Sequence, residues 1–170
     1  AQRIYVSDTL RDQVFELDMN GQIVRTIGKH GTGPGEFNFP TELRIEGQRL
    51  VAVDAMNFRV QVMDLSGNVE YMVGKLGEDG GEMFRPKGIG FDSEGHLYVV
   101  DGLRSIVQVL NQQGQLLYYF GQKGAGFGDF QLPSGLFIDR GDRVFVVDSF
   151  NRRVQMFQYF GIAKPVKAGE

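Results

Sequence analysis

The chain has 170 residues, 42% of them hydrophobic, with 18 Lys and Arg against 21 Asp and Glu for a net charge of −3. That charge balance argues against a polyanion-binding surface, which needs a basic stripe. The lack of cysteine excludes disulfides, thiolate metal sites, cysteine nucleophiles and c-type haem attachment, and no run approaches the ~18 apolar residues of a spanning helix.

The first element in chain order is the apolar run Ile4-Tyr5-Val6, which ends at Asp8. A polar loop leads to a second strand around Val14. A turn at Asn20-Gly21 then reverses the chain into a third, Gln22 to Ile27. The glycine-rich stretch Gly28 to Gly35 follows, then Phe37 and Pro40. After the proline, apolar residues alternate at Leu43 and Ile45, the period of a strand. Leu50 to Val53 is a nearly all-apolar strand ending at Asp54, expected to be buried on both faces. Val60 to Met63 and Val69 to Val73 are the next pair, joined at Ser66-Gly67. The order then repeats. Ile89 and Phe91 alternate, Leu97 to Val100 runs into Asp101, and Val107 to Leu110 turns at Gln113-Gly114 into Gln115 to Phe120. A last set comprises Leu136 and Ile138, Val144 to Val147 with Asp148, and Val154 to Phe157. No window has sustained helical periodicity.

The register is that of an internal repeat. Asp8, Asp54, Asp101 and Asp148 lie 46, 47 and 47 residues apart. Val14, Val60, Val107 and Val154 keep step with them, as do Gly21, Gly67, Gly114 and Gly161. Gly28, Gly74 and Gly121 recur, and so do Pro40, Pro86 and Pro133, preceded by Phe37, Phe84 and Phe130. The single slip lies at Glu46-Gly47-Gln48, where one turn is a residue short. A residue present in every repeat belongs to the scaffold, so function is to be sought where repeats differ.

Four antiparallel strands per period is the plan of a β-propeller blade. The pattern resembles the NHL repeat. The third unit carries Pro86-Lys87-Gly88-Ile89, Asp92, Gly95, Tyr98-Val99-Val100-Asp101, Val107-Gln108-Val109, Phe120-Gly121 and Phe130 to Pro133. The second and fourth units supply an Asn-x-Arg element, Asn57-Phe58-Arg59 and Asn151-Arg152-Arg153, where the third has Arg104. The resemblance spans residues 3 to about 161 and implies an all-β propeller of four-stranded blades.

The expected division is a single propeller segment: 1–40 a partial blade opening at its second strand, 41–86 and 87–133 complete blades, and 134–170 a fourth blade and tail. Ile162 to Ala168, interrupted by Pro165, would be a poor outer strand. NHL-type propellers close with about six blades, on the order of 280 residues. The segment is therefore expected to be an incomplete ring or part of a larger one. Its exposed edges, Ala1 to Val6 and Ile162 to Glu170, would be covered by other chains or further blades.

Three chemistries can be weighed on the residues. The glycine-rich loops lack the single copy and following helix of a phosphate cradle, and read as turns. Each repeated aspartate is expected to accept backbone donors in its turn and to pair with an arginine: Arg11, Arg59, Arg104, and Arg152 or Arg153. Among relatives of NHL propellers, peptidyl-α-hydroxyglycine lyase holds zinc with three histidines. This chain has only His30 and His96, read as solvated and on opposite rims. Lactonase-type propellers hold a divalent ion with carboxylates and asparagine. Some eukaryotic NHL proteins bind single-stranded RNA, for which basic and acidic rim residues here nearly cancel.

The reading is therefore a non-catalytic interaction or assembly scaffold with no metal and no cofactor, placed in the periplasm or outside the cell, with the cytoplasm left open. Its partners would be other protein chains or blades completing the ring. Candidate contact residues on the loop rim are Arg11, Met56, Phe58, Arg59, Leu103, Arg104, Phe150, Arg152 and Arg153. The alternatives are a fragment of a lyase- or lactonase-type enzyme and an RNA-binding propeller.

Overall fold

The computed structural model describes residues 2–161. It contains four antiparallel sheets in which every strand pairs with its sequence neighbour. Blade 1 has β1 (Ile4–Asp8), β2 (Gln13–Leu17) and β3 (Ile23–Ile27). Blade 2 has β4 (Pro40–Glu46), β5 (Arg49–Asp54), β6 (Arg59–Asp64) and β7 (Val69–Val73). Blade 3 has β8 (Pro86–Phe91), β9 (Leu97–Asp101), β10 (Ile106–Leu110) and β11 (Leu116–Phe120). Blade 4 has β12 (Pro133–Ile138), β13 (Arg143–Asp148) and β14 (Arg153–Gln158). The only helical element among the described residues is a 3-10 turn at Ala55–Asn57. The expected outer strand at 162–168 lies outside the described residues.

The blades form an open propeller whose inner strands β4, β8 and β12 face the axis. Apolar residues of adjacent blades make three cores, one per seam. Val14, Ile27 and Phe37 meet Leu50 and Ala52 between blades 1 and 2. Val51, Val53, Val60 and Val62 meet Ile89, Leu97 and Val99 between blades 2 and 3. Tyr98, Val100 and Val107 meet Leu136, Val144 and Val146 between blades 3 and 4.

This seam-by-seam burial corrects one expectation. β5 and β9 are buried on both faces, but β13 alternates, leaving Val147 exposed. No described blade covers the far face of blade 4, so Phe137, Val147, Val154 and Met156 stand in solvent. On blade 1 the corresponding outward residues are Ile4 and Val6.

A second correction concerns the aromatic before each proline. The buried slot is filled by Phe37, Met83 and Phe130, each three residues upstream, and Phe84 is displaced to the rim. That slot exists because Gly28 and Gly121 have no side chain. Both have positive φ, and a Cβ on either would collide with the ring of Phe37 or Phe130.

Candidate functional site: the loop rim and axial mouth

The repeated aspartates organise the rim. Asp54 and Asp148, both fully buried, close their β-strands and accept from the preceding loop at Asn38 N–H (2.7 Å) and Gln131 N–H (2.7 Å). Asn57 Nδ2, Arg59 Nε and Gln61 Nε2 donate to Asp54 Oδ2 at 2.9, 2.8 and 3.2 Å. Asn151, Arg153 and Gln155 repeat the arrangement on Asp148. Arg59 then spans the glycine-rich loop, donating to the carbonyls of Thr32, Gly33 and Glu36. The Asn-x-Arg-x-Gln element is thus one hydrogen-bonded clasp that ties each loop to its blade. Burial pushes Asp148 up, but the donors from Gln131, Asn151 and Arg153 outweigh it and hold the carboxyl below its usual range.

Blade 3 makes the clasp differently, and here the expected Asp101–Arg104 pair does not form. Asp101 accepts four backbone N–H groups, from Phe84, Arg85, Leu103 and Arg104. Arg104 instead reaches the carbonyls of Glu78, Asp79 and Glu82. It does so from the position of Asn57, two residues nearer the aspartate than Arg59. Blade 1 has Arg11 at that same position, where it forms an exposed pair with Asp8 at 2.7 Å. That hydrogen bond holds Asp8 below its ordinary value. Arg152 takes no part in the Asp148 clasp, which uses Arg153.

The glycine-rich loops are filled by their own acids. Glu36 accepts Gly33 N–H, Glu82 accepts Asp79 N–H and Asp129 accepts Gly126 N–H. Lys29 and Lys75 pair with Glu36 and Glu82. The amide donors that a phosphate would need are already in use.

Of the rim candidates, Arg59 is only 8% exposed, and Arg104 and Arg153 spend their guanidinium groups on loop carbonyls. Met56, Leu103 and Phe150 are exposed at 56%, 54% and 65%, and Phe58 is half-buried at positive φ. Sequence reasoning missed two further residues beside them, Phe39 and Leu132, both exposed. Phe39 and Leu132, which precede Pro40 and Pro133, both have positive φ, a strained setting for bulky side chains.

These side chains surround a concave surface at the axial mouth. One cavity of about 360 Å³ lies against Phe39, Met56, Phe58 and Phe84. Another of about 200 Å³ lies against Leu132, Ser149 and Phe150. Arg85 and Lys87 line both. A third, of about 290 Å³, lies between Thr41, Glu42, Lys87 and Ser134 and joins them.

Glu42 shapes that middle cavity. Its counterparts on the other inner strands are Gly88 and Gly135, and a Cβ on Gly88 would strike the backbone at Leu136. β8 and β12 therefore run close together, whereas the Glu42 side chain stands between β4 and β8 with Oε1 accepting Ile89 N–H at 3.1 Å. Burial raises the Glu42 pKa above its ordinary value, against the opposing pull of that hydrogen bond and of Arg44. Thr41 Oγ1, next to it, is buried without a hydrogen-bond partner.

The two histidines are separate, and one is not solvated. His30 is exposed and pairs with Asp12 at 2.8 Å. His96 is largely enclosed, held by Asp92 at 2.8 Å and set edge-on to Tyr159. Asp92 also accepts Tyr98 Oη. Burial raises the Tyr98 phenol, and burial together with Glu94 pushes Tyr159 up to about 12. This network staples blade 3 to blade 4. Among the described residues no group of three His, Cys, Asp or Glu could hold a metal ion, and no helix is long and apolar enough to cross a membrane.

Comparison with known proteins agrees with this geometry. A family model described as 6-bladed beta-propeller matches residues 1–76. No curated protein matches the chain in sequence. A streptogramin B lyase structure aligns at TM-score 0.71 and 11% identity, over 94% of this chain and 49% of that one. An auxiliary nutrient binding protein from Bacteroides thetaiotaomicron aligns at 0.68 and 17%, over 89% and 44%. The WD40 beta propeller domain of Doa1 aligns at 0.66 and 12%, over 92% and 46%. The chain spans about half the length of these solved structures. At such identities the likeness is one of fold alone, and it places the chain among the β-propellers.

Proposed function

We propose that this chain is a non-catalytic interaction or assembly segment of an NHL-type propeller, making contacts through its rim and its uncovered blade faces. The observation that carries the reading is the apolar surface left open. Blade 4 exposes Phe137, Val147, Val154 and Met156 on one sheet face, and the rim exposes Met56, Leu103 and Phe150. Apolar patches of this kind mark interaction surfaces. The NHL assignment is supported by the clasp, in which Asn57, Arg59 and Gln61 act together on Asp54. The terminal faces fit further blades, and the rim fits a protein ligand. A periplasmic or extracellular setting accords with a cysteine-free chain.

The test is the native mass of the assembly in its source, with every chain identified and crosslinked sites mapped. Crosslinks from the blade 4 face and the rim to partner protein or to further blades are expected. A protein that is monomeric in its source, with these surfaces bare, would refute the reading. An enzyme of the lyase or lactonase type would need its reacting groups supplied from further blades. Metal-dependent turnover by the native assembly would establish that alternative instead.

A further inference from the structure

Arg85 and Lys87 are distinguished from the other cations around the glycine-rich loops by the cavities they line, since Lys123 and Arg152 likewise form no ion pair among the described residues. Lys29 and Lys75 pair with acids, and Arg59 and Arg153 donate to Asp54 and Asp148. Among the described residues, no carboxylate oxygen lies within 4.0 Å of the Arg85 or Lys87 nitrogens. Arg85 is exposed and Lys87 half-buried. Both line the two flanking cavities, and Lys87 the middle one as well, with Phe39 and Met56 to one side and Leu132 and Phe150 to the other. The nearest acid in the middle cavity is Glu42, and its Oε1 is engaged by Ile89 N–H. A pair of cations without counter-ions between two apolar hollows is complementary to an acid flanked by apolar groups. An extended peptide presents such a pattern, with alternate side chains turned to one face.

Building on the interaction reading above, we propose that the axial mouth is a docking site for an acidic–apolar peptide segment of a partner protein. Arg85 and Lys87 receive its carboxylate, and the Phe39–Met56 and Leu132–Phe150 hollows receive the apolar side chains on either side. The unpaired cations supply register and selectivity. The hollows supply apolar burial. Phe39 and Leu132 are held at positive φ with their side chains exposed at this surface.

The probe is the fluorescein-labelled peptide Ser-Phe-Ser-Glu-Ser-Glu-Ser-Leu-Ser, whose Phe, Glu and Leu side chains share one face when extended, titrated into the ¹⁵N-labelled chain. Binding should move the amide signals of Phe39, Arg85, Lys87 and Phe150. Replacing both Glu of the peptide by Gln should weaken it by about tenfold, the scale of one charge-assisted pair. The double variant R85E/K87E should lose binding with an unchanged circular dichroism spectrum and melting temperature, because neither side chain has an ion-pair partner among the described residues. Equal binding of the Gln peptide, or unchanged binding by R85E/K87E, would overturn the proposal. So would preferential binding of oligouridine that R85E/K87E abolishes, which would make the mouth an RNA site. If the native assembly persists with R85E/K87E and no peptide binds the wild-type chain, this inference falls and the interaction reading stands. If the native chain has no partner at all, that reading falls with it.

Discussion

Arg59 tests whether the clasp holds the blade together. Its Nε lies 2.8 Å from Asp54 Oδ2, and its terminal nitrogens donate to Thr32 O (2.6 Å), Gly33 O (2.9 Å) and Glu36 O (2.9 Å). The Asp54 side chain is fully buried and that of Arg59 is 10% exposed, so solvent screens the pair little. Arg59→Met keeps most of the volume, leaves the Asp54 carboxylate without its cation, and strips three loop carbonyls of a donor. Breaking one side of a buried pair costs about 3–5 kcal/mol. For a chain of this size each kcal/mol moves the melting temperature by roughly 2–4 °C, so a fall of roughly 6–20 °C is expected. Arg11→Ala removes the corresponding exposed pair on blade 1 and should leave the melting temperature where it was. Thermal unfolding followed by circular dichroism measures both. In the double variant Asp54→Asn with Arg59→Met, part of the loss should return, because no buried charge is left unpaired and the amide oxygen still accepts from the loop. A shift for Arg59→Met no larger than for Arg11→Ala would refute the clasp as a structural device.

Glu42→Gln should stabilise the chain at neutral pH. The folded pKa is raised, so the fold bears a penalty above that pKa which disappears as pH falls below the unfolded value. The wild-type and variant stabilities should therefore converge in acid, and a gap that widens there would contradict this account. Gly121→Ala adds left-handed strain (φ +90°) and a collision with Phe130, together about 2–4 kcal/mol. Gly128→Ala (φ +80°) has open space around it and should cost about 1 kcal/mol, so equal losses in urea titrations would be inconsistent with the packing described. Val154→Glu with Met156→Glu should lower binding of the dye ANS and any self-association without lowering the melting temperature, since both side chains lie on the uncovered face of blade 4. A large loss of stability would mean that face is covered within the chain.

Why the fold was legible and the site was not follows from what repetition encodes. Asp54, Arg59 and Gln61 recur because each blade must tether its loop, so their spacing announces strands, turns and register together. The outlines of β5, β7 and β9 follow from that period with little further input. Side-chain identity within a slot is less constrained. Met83 fills the place of Phe37 and Phe130 because Gly74 opposite admits any slender apolar group, and the aromatic marker therefore misplaced Phe84. Arg104 shows the same freedom, meeting its loop's carbonyls from a different position. The burial of His96 depends on Tyr159, 63 residues away in sequence, and no local signal carries a contact of that range.

The axial mouth is a question of departure from the repeat. Aligned on the prolines, the three inner strands begin Pro40-Thr41-Glu42, Pro86-Lys87-Gly88 and Pro133-Ser134-Gly135. Two of them keep the glycine that lets neighbouring inner strands close up. The third replaces it with a carboxylate, and the β4–β8 seam is spread by that side chain. One position earlier, a threonine and a serine flank the single lysine. The blades vary in scaffold residues too, as Met83 and Arg104 show, but the Glu42 and Lys87 changes belong to no clasp and no seam core among the described residues. The asymmetry is concentrated where strands, loops and cavities converge, beside exposed apolar side chains held at positive φ. Stability accounts for the residues the blades share, and the proposed docking of a partner would account for the departures at the axial mouth.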